Sequence, residues 1–173
     1  MINERIAAKE RVIFLWSVPA NGHLNPTLCF TNQLLLKLDE MNVNKIVFYS
    51  GSSFRDLILN LPNNTEDRIE FRDYCLEKYT GSENLLKLIM NFDTKPGKLF
   101  RVFQCWENAV KLGNKHIFNN LLHDINRDEP ALILYDQALF FPKLAFKLYS
   151  KMYRCPPPLH ACYVTTFLCA KGG

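Results

Sequence analysis

The stretch Arg11-Val12-Ile13-Phe14-Leu15-Trp16-Ser17-Val18-Pro19-Ala20-Asn21-Gly22-His23-Leu24-Asn25-Pro26 decides the fold. From Arg11 to Val18 it is a short apolar run rich in β-formers, which reads as a strand. Pro19 to Gly22 is expected as a turn or loop. Asn25 and Pro26 form an N-cap and first-helical-residue pair, after which Leu28, Thr31, Leu35 and Leu38 continue from Leu24 at spacings of three and four. That pattern predicts a helix to about Asp39.

The same alternation continues downstream. Lys45 to Ser50 reads as a second strand, Ser53 as the cap of a short helix through Leu61, and Arg68 to Tyr74 as a third strand. A long, mostly helical stretch follows, with an apolar stripe of Leu99, Phe103, Trp106, Val110, Ile117 and Leu121 that fits core packing. Pro130 precedes Ala131 to Tyr135, a fully apolar strand of the kind buried on both faces, and Leu139 to Tyr149 reads as the next helix. Pro156-Pro157-Pro158 makes a stiff connector into a fifth strand, about Leu159 to Thr166. Strands alternating with helices in this way give an α/β fold, a doubly wound, Rossmann-like parallel sheet flanked by helices. Right-handed crossovers favour the order 3-2-1-4-5, which sets strand one beside strand four.

With 173 residues, 48% hydrophobic and 22% charged, the chain has material for one buried core, read as a single domain over residues 1–173, and is neither disordered nor low-complexity. The net charge of +4 is spread without a basic run, so no nucleic-acid partner is expected. Val12 to Val18 is far short of the ~20 apolar residues of a membrane span and lacks a signal peptide's cleavage site. No integral membrane segment and a cytoplasmic location are therefore expected, and the sequon Asn63-Asn64-Thr65 reads as a polar loop. The six cysteines show no CxxC spacing and read as free thiols packed as small apolar groups. Cys155, His160 and Cys162 lack a fourth ligand and straddle the triple proline, so no metal is expected there.

In open α/β sheets, ligands bind beyond the carboxyl ends of the strands where the strand order reverses, here between strands one and four. His23 comes from the loop after strand one, and Asp136 directly follows strand four. A carboxylate beside an imidazole selects the tautomer and stabilises the imidazolium, so the far nitrogen can take a proton from an alcohol. The two are expected within hydrogen-bond reach, as a general-base dyad. Each also has a plainer reading: His23 as a polar residue at a helix entrance, Asp136 as a helix cap. His116 and His123, seven apart, read as a solvated face, and His160 starts a strand. GxSxG, P-loop and GxGxxG signatures are absent, which removes the best grounds for a serine nucleophile, nucleotide hydrolysis or hydride transfer.

The segment Pro19 to Pro26, placed between an apolar strand and an amphipathic helix, resembles the amino-terminal signature of the UDP-dependent glycosyltransferases of the GT-B fold. Val47-Phe48-Tyr49-Ser50, Leu132-Ile133-Leu134-Tyr135-Asp136 and Tyr163-Val164-Thr165-Thr166-Phe167 extend the likeness across nearly the whole chain. The resemblance implies the acceptor-binding half of an inverting enzyme. His23 then matches the catalytic base, Asp136 its carboxylate partner, and Asn21 and Gly22 binding positions in the same loop. It implies a UDP-sugar co-substrate, a small, hydroxylated, lipophilic acceptor and no metal cofactor. Leu88, Met90, Phe92, Leu99 and Phe103 could line such an acceptor pocket as well as a core.

Nothing in the sequence matches the family's carboxyl-terminal donor-binding domain, and the chain stops at Lys171-Gly172-Gly173 just after the fifth strand. The UDP-sugar is therefore expected to be held by a missing carboxyl-terminal domain or a second subunit, and this chain alone to be inactive. Two other readings stay open: a noncatalytic binding or adaptor module with the same fold, and a flavodoxin-like domain taking a small anionic ligand at the helix entrance after Gly22.

Overall fold

A computed structural model describes residues 10–19, 21–74, 119–137, 139 and 142–164. Five strands, β1 (Val12–Trp16), β2 (Lys45–Ser50), β3 (Ile69–Asp73), β4 (Leu132–Asp136) and β5 (His160–Tyr163), form one all-parallel sheet in the order β3-β2-β1-β4-β5. Four helices accompany it among the described residues: α1 (Asn21–Leu35), α2 (Arg55–Leu59) behind a 3-10 turn at Ser52–Phe54, α3 over residues 119–128, and α4 (Pro142–Tyr153). Parallel neighbours require crossovers, and these cover both sheet faces, so the central strand β1 is buried at every residue.

The two-residue period of β1 divides the core. Ile13 and Leu15 pack with Leu24, Leu28, Leu35 and Ile58 from α1 and α2. Phe14 and Trp16 point the other way, toward Leu121 and Ile125 of α3 and Ala145, Phe146 and Tyr149 of α4. On that second face Trp16 stacks on Phe146 at a centroid distance of 5.7 Å and meets Tyr49 edge-on at 6.2 Å.

Several boundaries differ from the sequence reading. α1 begins at Asn21, so Asn21, Gly22 and His23 are helical rather than loop, and Pro26 lies inside the helix. Pro26 has no N–H for the Gly22 carbonyl, but Gly22 is exposed, where water can serve that group. Burial of Leu24 draws the upstream turn into the helix despite the proline. At its far end α1 stops at Leu35 and continues in tight turns to a left-handed Asn42, φ 52°. There the Val43 N–H donates to the Leu38 carbonyl (2.9 Å) and the Asn42 N–H to that of Asp39 (3.0 Å), a Schellman closure that still buries Leu38.

Ser53 lies within the 3-10 turn instead of capping a helix, the Gly51 carbonyl receiving the Phe54 N–H. β4 extends one residue further than expected, to Asp136, and the helix after it starts at Pro142, where a missing N–H costs nothing. Cys29, Cys155 and Cys162 are free, as expected, but exposed rather than packed, Leu24, Leu28, Thr31 and Leu35 having taken the core face of α1. Leu121 is buried as expected; the rest of its stripe, the apolar residues from Leu88 to Phe103, Cys105, Cys169 and residues 165–167 lie outside the described residues. Among the described residues no helix is long and apolar enough to cross a membrane.

Edge strand β3 is fastened to α3 by Arg72. Its guanidinium reaches Asp128 (2.6 Å), Glu70 (2.6 Å) and the Tyr49 hydroxyl (3.0 Å), and lies over the Phe14 ring at 5.5 Å. Arg127 adds a two-pronged contact to Asp128 at 2.7 and 2.9 Å. Hydrogen bonds from Arg127 first, then Arg72, pull the Asp128 carboxyl down to about 2 from its ordinary 3.8. A depressed carboxyl stabilises the fold above its unfolded pKa, and that contribution is lost as pH falls from about 4 through about 2. Asp128→Asn is expected to cost on the order of 1–2 kcal/mol at neutral pH and to flatten the acid limb of stability. Urea melts at several pH values check this; an acid limb as steep as the parent's would place its origin elsewhere.

Candidate active site

Because β1 and β4 run side by side, with Trp16 opposite Tyr135, the segments leaving both strands start from one place on the carboxyl edge. The first turn of α1 presents His23 there, and Asp136 is the last residue of β4. His23 Nδ1 and Asp136 Oδ2 are 2.9 Å apart. Asp136 is fully buried, while the His23 side chain keeps 22% of its surface exposed. An ionised carboxylate only accepts hydrogen bonds, so Nδ1 carries the proton and Nε2 is left as the accepting nitrogen. The following helix begins only at Pro142, six residues after Asp136, whose backbone carbonyl accepts the Leu139 N–H (3.0 Å) in a turn. Asn21 and Gly22 are exposed on the same first turn.

Three further groups surround the pair that the sequence reading did not single out. Thr27, buried one turn along α1, places Oγ1 2.8 Å from the His23 carbonyl and 3.2 Å from the Tyr163 hydroxyl. Tyr163 stands opposite Asp136 in the β4–β5 register, and its hydroxyl also lies 3.1 Å from the Trp16 carbonyl as a donor. Burial, with the negative charge of Asp136 adding to it, raises the Tyr163 phenol, so it stays protonated. Tyr74, just beyond β3, is raised as well, by burial foremost and then by its neighbours Tyr163, Tyr49 and Asp136. The signals were present in principle: Thr27 is four residues from His23 on one helix face, and Tyr163 follows from the register once strand five is placed.

The loops around the edge are closely packed. A Cβ on Gly51, after β2, would fall 3.0 Å from the Pro19 side chain, so these two loops approach closely and a larger residue there would have to displace Pro19 slightly. A cleft of about 370 Å³ opens beside Tyr49, Arg72, Tyr74, Asn120 and His123. His23 and Asp136 are not among the residues that line it. His123 is exposed, as expected. His160 starts β5, stacks on Phe146 at 4.0 Å and turns Nδ1 to the Pro158 carbonyl (2.9 Å). Among the described residues no three His, Cys, Asp or Glu side chains gather as metal ligands.

The chain matches no protein-family model and no curated protein. Solved structures do resemble it. TcCGT1, determined in complex with UDP, is 18% identical, with a TM-score of 0.51 over 91% of this chain and 29% of its own. CalG4, the calicheamicin glycosyltransferase, is 17% identical, with a TM-score of 0.46 over 89% of this chain and 31% of its own. SsfS6, a glycosyltransferase of Streptomyces sp. SF2575, is 13% identical, with a TM-score of 0.45 over 88% and 39%. This chain therefore spans about a third of the length of the structures it resembles, and the likeness to TcCGT1 is one of fold, the α/β fold of part of a GT-B glycosyltransferase.

The pairing sets a tautomer that can be measured. In the parent, the neutral His23 ring should carry its proton mainly on Nδ1. Asp136→Asn, which also offers an amide N–H, should move much of that population to Nε2–H. Nitrogen-15 NMR of the ring at alkaline pH checks this, and identical spectra would mean that the contact does not persist in solution.

Proposed function

We propose that this chain is the acceptor-binding part of an inverting glycosyltransferase that uses a UDP-sugar, with His23 as general base and Asp136 as its orienting carboxylate. The observation that carries the reading is the 2.9 Å contact between a partly exposed imidazole and a wholly buried carboxylate at the carboxyl edge of the sheet. The likeness of fold to glycosyltransferases, and the UDP in the TcCGT1 complex, support the choice of chemistry.

In this reaction the acceptor hydroxyl lies against His23 Nε2. As its oxygen bonds to the anomeric carbon from the face opposite the leaving group, its proton passes to Nε2 and the bond from that carbon to the diphosphate breaks, the electron pair leaving with UDP. Asp136 stabilises the imidazolium as it forms, without taking the proton itself. Such base assistance is worth about 10²- to 10⁴-fold, so alignment of the two substrates and stabilisation of the leaving diphosphate must supply the remainder. Asn21 and Gly22 lie beside the reacting hydroxyl on the exposed first turn. A donor-binding domain, in the same polypeptide or in a second subunit, holds the sugar nucleotide. The acceptor is a small hydroxylated compound with an apolar body, and no step is assigned to a metal.

The test is transfer from UDP-sugars to a panel of hydroxylated apolar compounds by the complete protein, meaning this chain together with any donor-binding part that belongs to it. His23→Ala should lower kcat by roughly 10²-fold or more while changing the acceptor KM only modestly, because a side chain on an exposed first turn contributes little packing. Transfer by that variant at the parent rate would remove the base assignment. Acceptor binding without any transfer would favour the noncatalytic module instead.

A further inference from the structure

We infer that Tyr163, acting through Thr27, is a positioning residue for His23, pinning the first turn of α1 to the ends of β1 and β5 so that the imidazole stays seated on Asp136. This rests on the reading of His23 as the base and extends it. Asp136 and Tyr163 are cross-strand partners at the ends of β4 and β5, so a carboxylate and a phenol stand side by side before one helix. His23 and Thr27, four residues apart, share one face of that helix, and each takes one of the two: His23 the carboxylate at 2.9 Å, Thr27 the phenol at 3.2 Å.

The hydroxyl protons can serve this link in two ways. Either Thr27 donates to Tyr163 and Tyr163 to the Trp16 carbonyl, or Tyr163 donates to Thr27 and Thr27 to the His23 carbonyl. The first ties α1 through β5 to β1; the second ties β5 directly to the residue that carries the base.

A local weakness gives the tie its purpose. Pro26 cannot donate to Gly22, so the first turn of α1 is one backbone hydrogen bond short at the point where His23 must be held. The Thr27 hydroxyl, on the next residue, fastens that turn from the side. The Tyr163 ring is held independently by stacking on Phe30 at 6.2 Å, so its hydroxyl can be removed without displacing the ring.

The experiment reads the ring protons of His23 in the whole chain by nitrogen-15 NMR, with Asp136→Asn as the limit for a lost partner. Tyr163→Phe should lower the ratio of Nδ1–H to Nε2–H tautomer about fivefold, the effect of losing one neutral hydrogen bond, while the amide spectrum stays folded. Thr27→Val should do the same, and Thr27→Ser, which keeps the hydroxyl, should retain the parent ratio. A purely structural role would lower melting temperatures without moving the tautomer. Parent ratios in both Tyr163→Phe and Thr27→Val, or a Thr27→Ser ratio as low as that of Thr27→Val, overturn the inference. If Tyr163→Phe does not fold, the two Thr27 variants decide. Sugar transfer is not the readout, so an absence of transferase activity would refute the proposed function and leave the positioning role standing, and an unmoved tautomer would do the reverse.

Discussion

The parallel pairing of β1 with β4 is the constraint on which the rest depends. Strands with the same direction cannot be joined by a tight turn, so every connection must cross a face of the sheet, and the side chains of β1 are closed in from both sides as a result. The same pairing makes the carboxyl ends of two strands far apart in sequence coincide. A helix leaving one and a carboxylate ending the other then meet without any special loop, and the His23–Asp136 contact follows from topology.

Burying a carboxylate is unfavourable unless it is matched by hydrogen bonds or opposite charge. Two of the ionic centres among the described residues resolve this differently. On the β3 edge, Asp128 receives two guanidinium groups, a strong and saturated arrangement suited to fastening a helix. At the carboxyl edge, Asp136 faces an imidazole, a partner that can exist neutral or protonated, beside phenols that burial keeps protonated. One centre holds a fixed charge balance; the other can accommodate a change of charge on the ring.

The strand order and the juxtaposition of His23 with Asp136 were legible in the sequence because both rest on patterns that survive local error. A two-residue or helical period needs several residues to agree, and a boundary displaced by a residue or four leaves the topology unchanged. The start of α1 was misplaced because Asn25-Pro26 is a strong local signal, whereas the burial of Leu24 that overrides it is tertiary. The start of α4 was misplaced for the opposite reason: Pro142 was a valid local signal, but the apolar residues before it read as helix. Thr27 and Tyr163 went unnoticed because a hydroxyl in a helix and a phenol in a strand each look ordinary alone. Only the register that sets Tyr163 opposite Asp136 gives them a common purpose. The exposure of Cys29 likewise depends on which stripe of α1 the sheet selects.

The contact of Gly51 with Pro19 has a consequence for how this edge could vary. The loop after β2 acts as a shim against the loop that feeds α1, and a methyl group at position 51 would require Pro19 to give by a few tenths of an ångström. Enlarging the shim would press on Pro19, in the segment that leads into the helix bearing His23, while Asp136 sits at the end of β4 beside the central strand β1. A change at position 51 would thus reach the site through the loop that precedes α1, from outside the hydrogen-bonded pair.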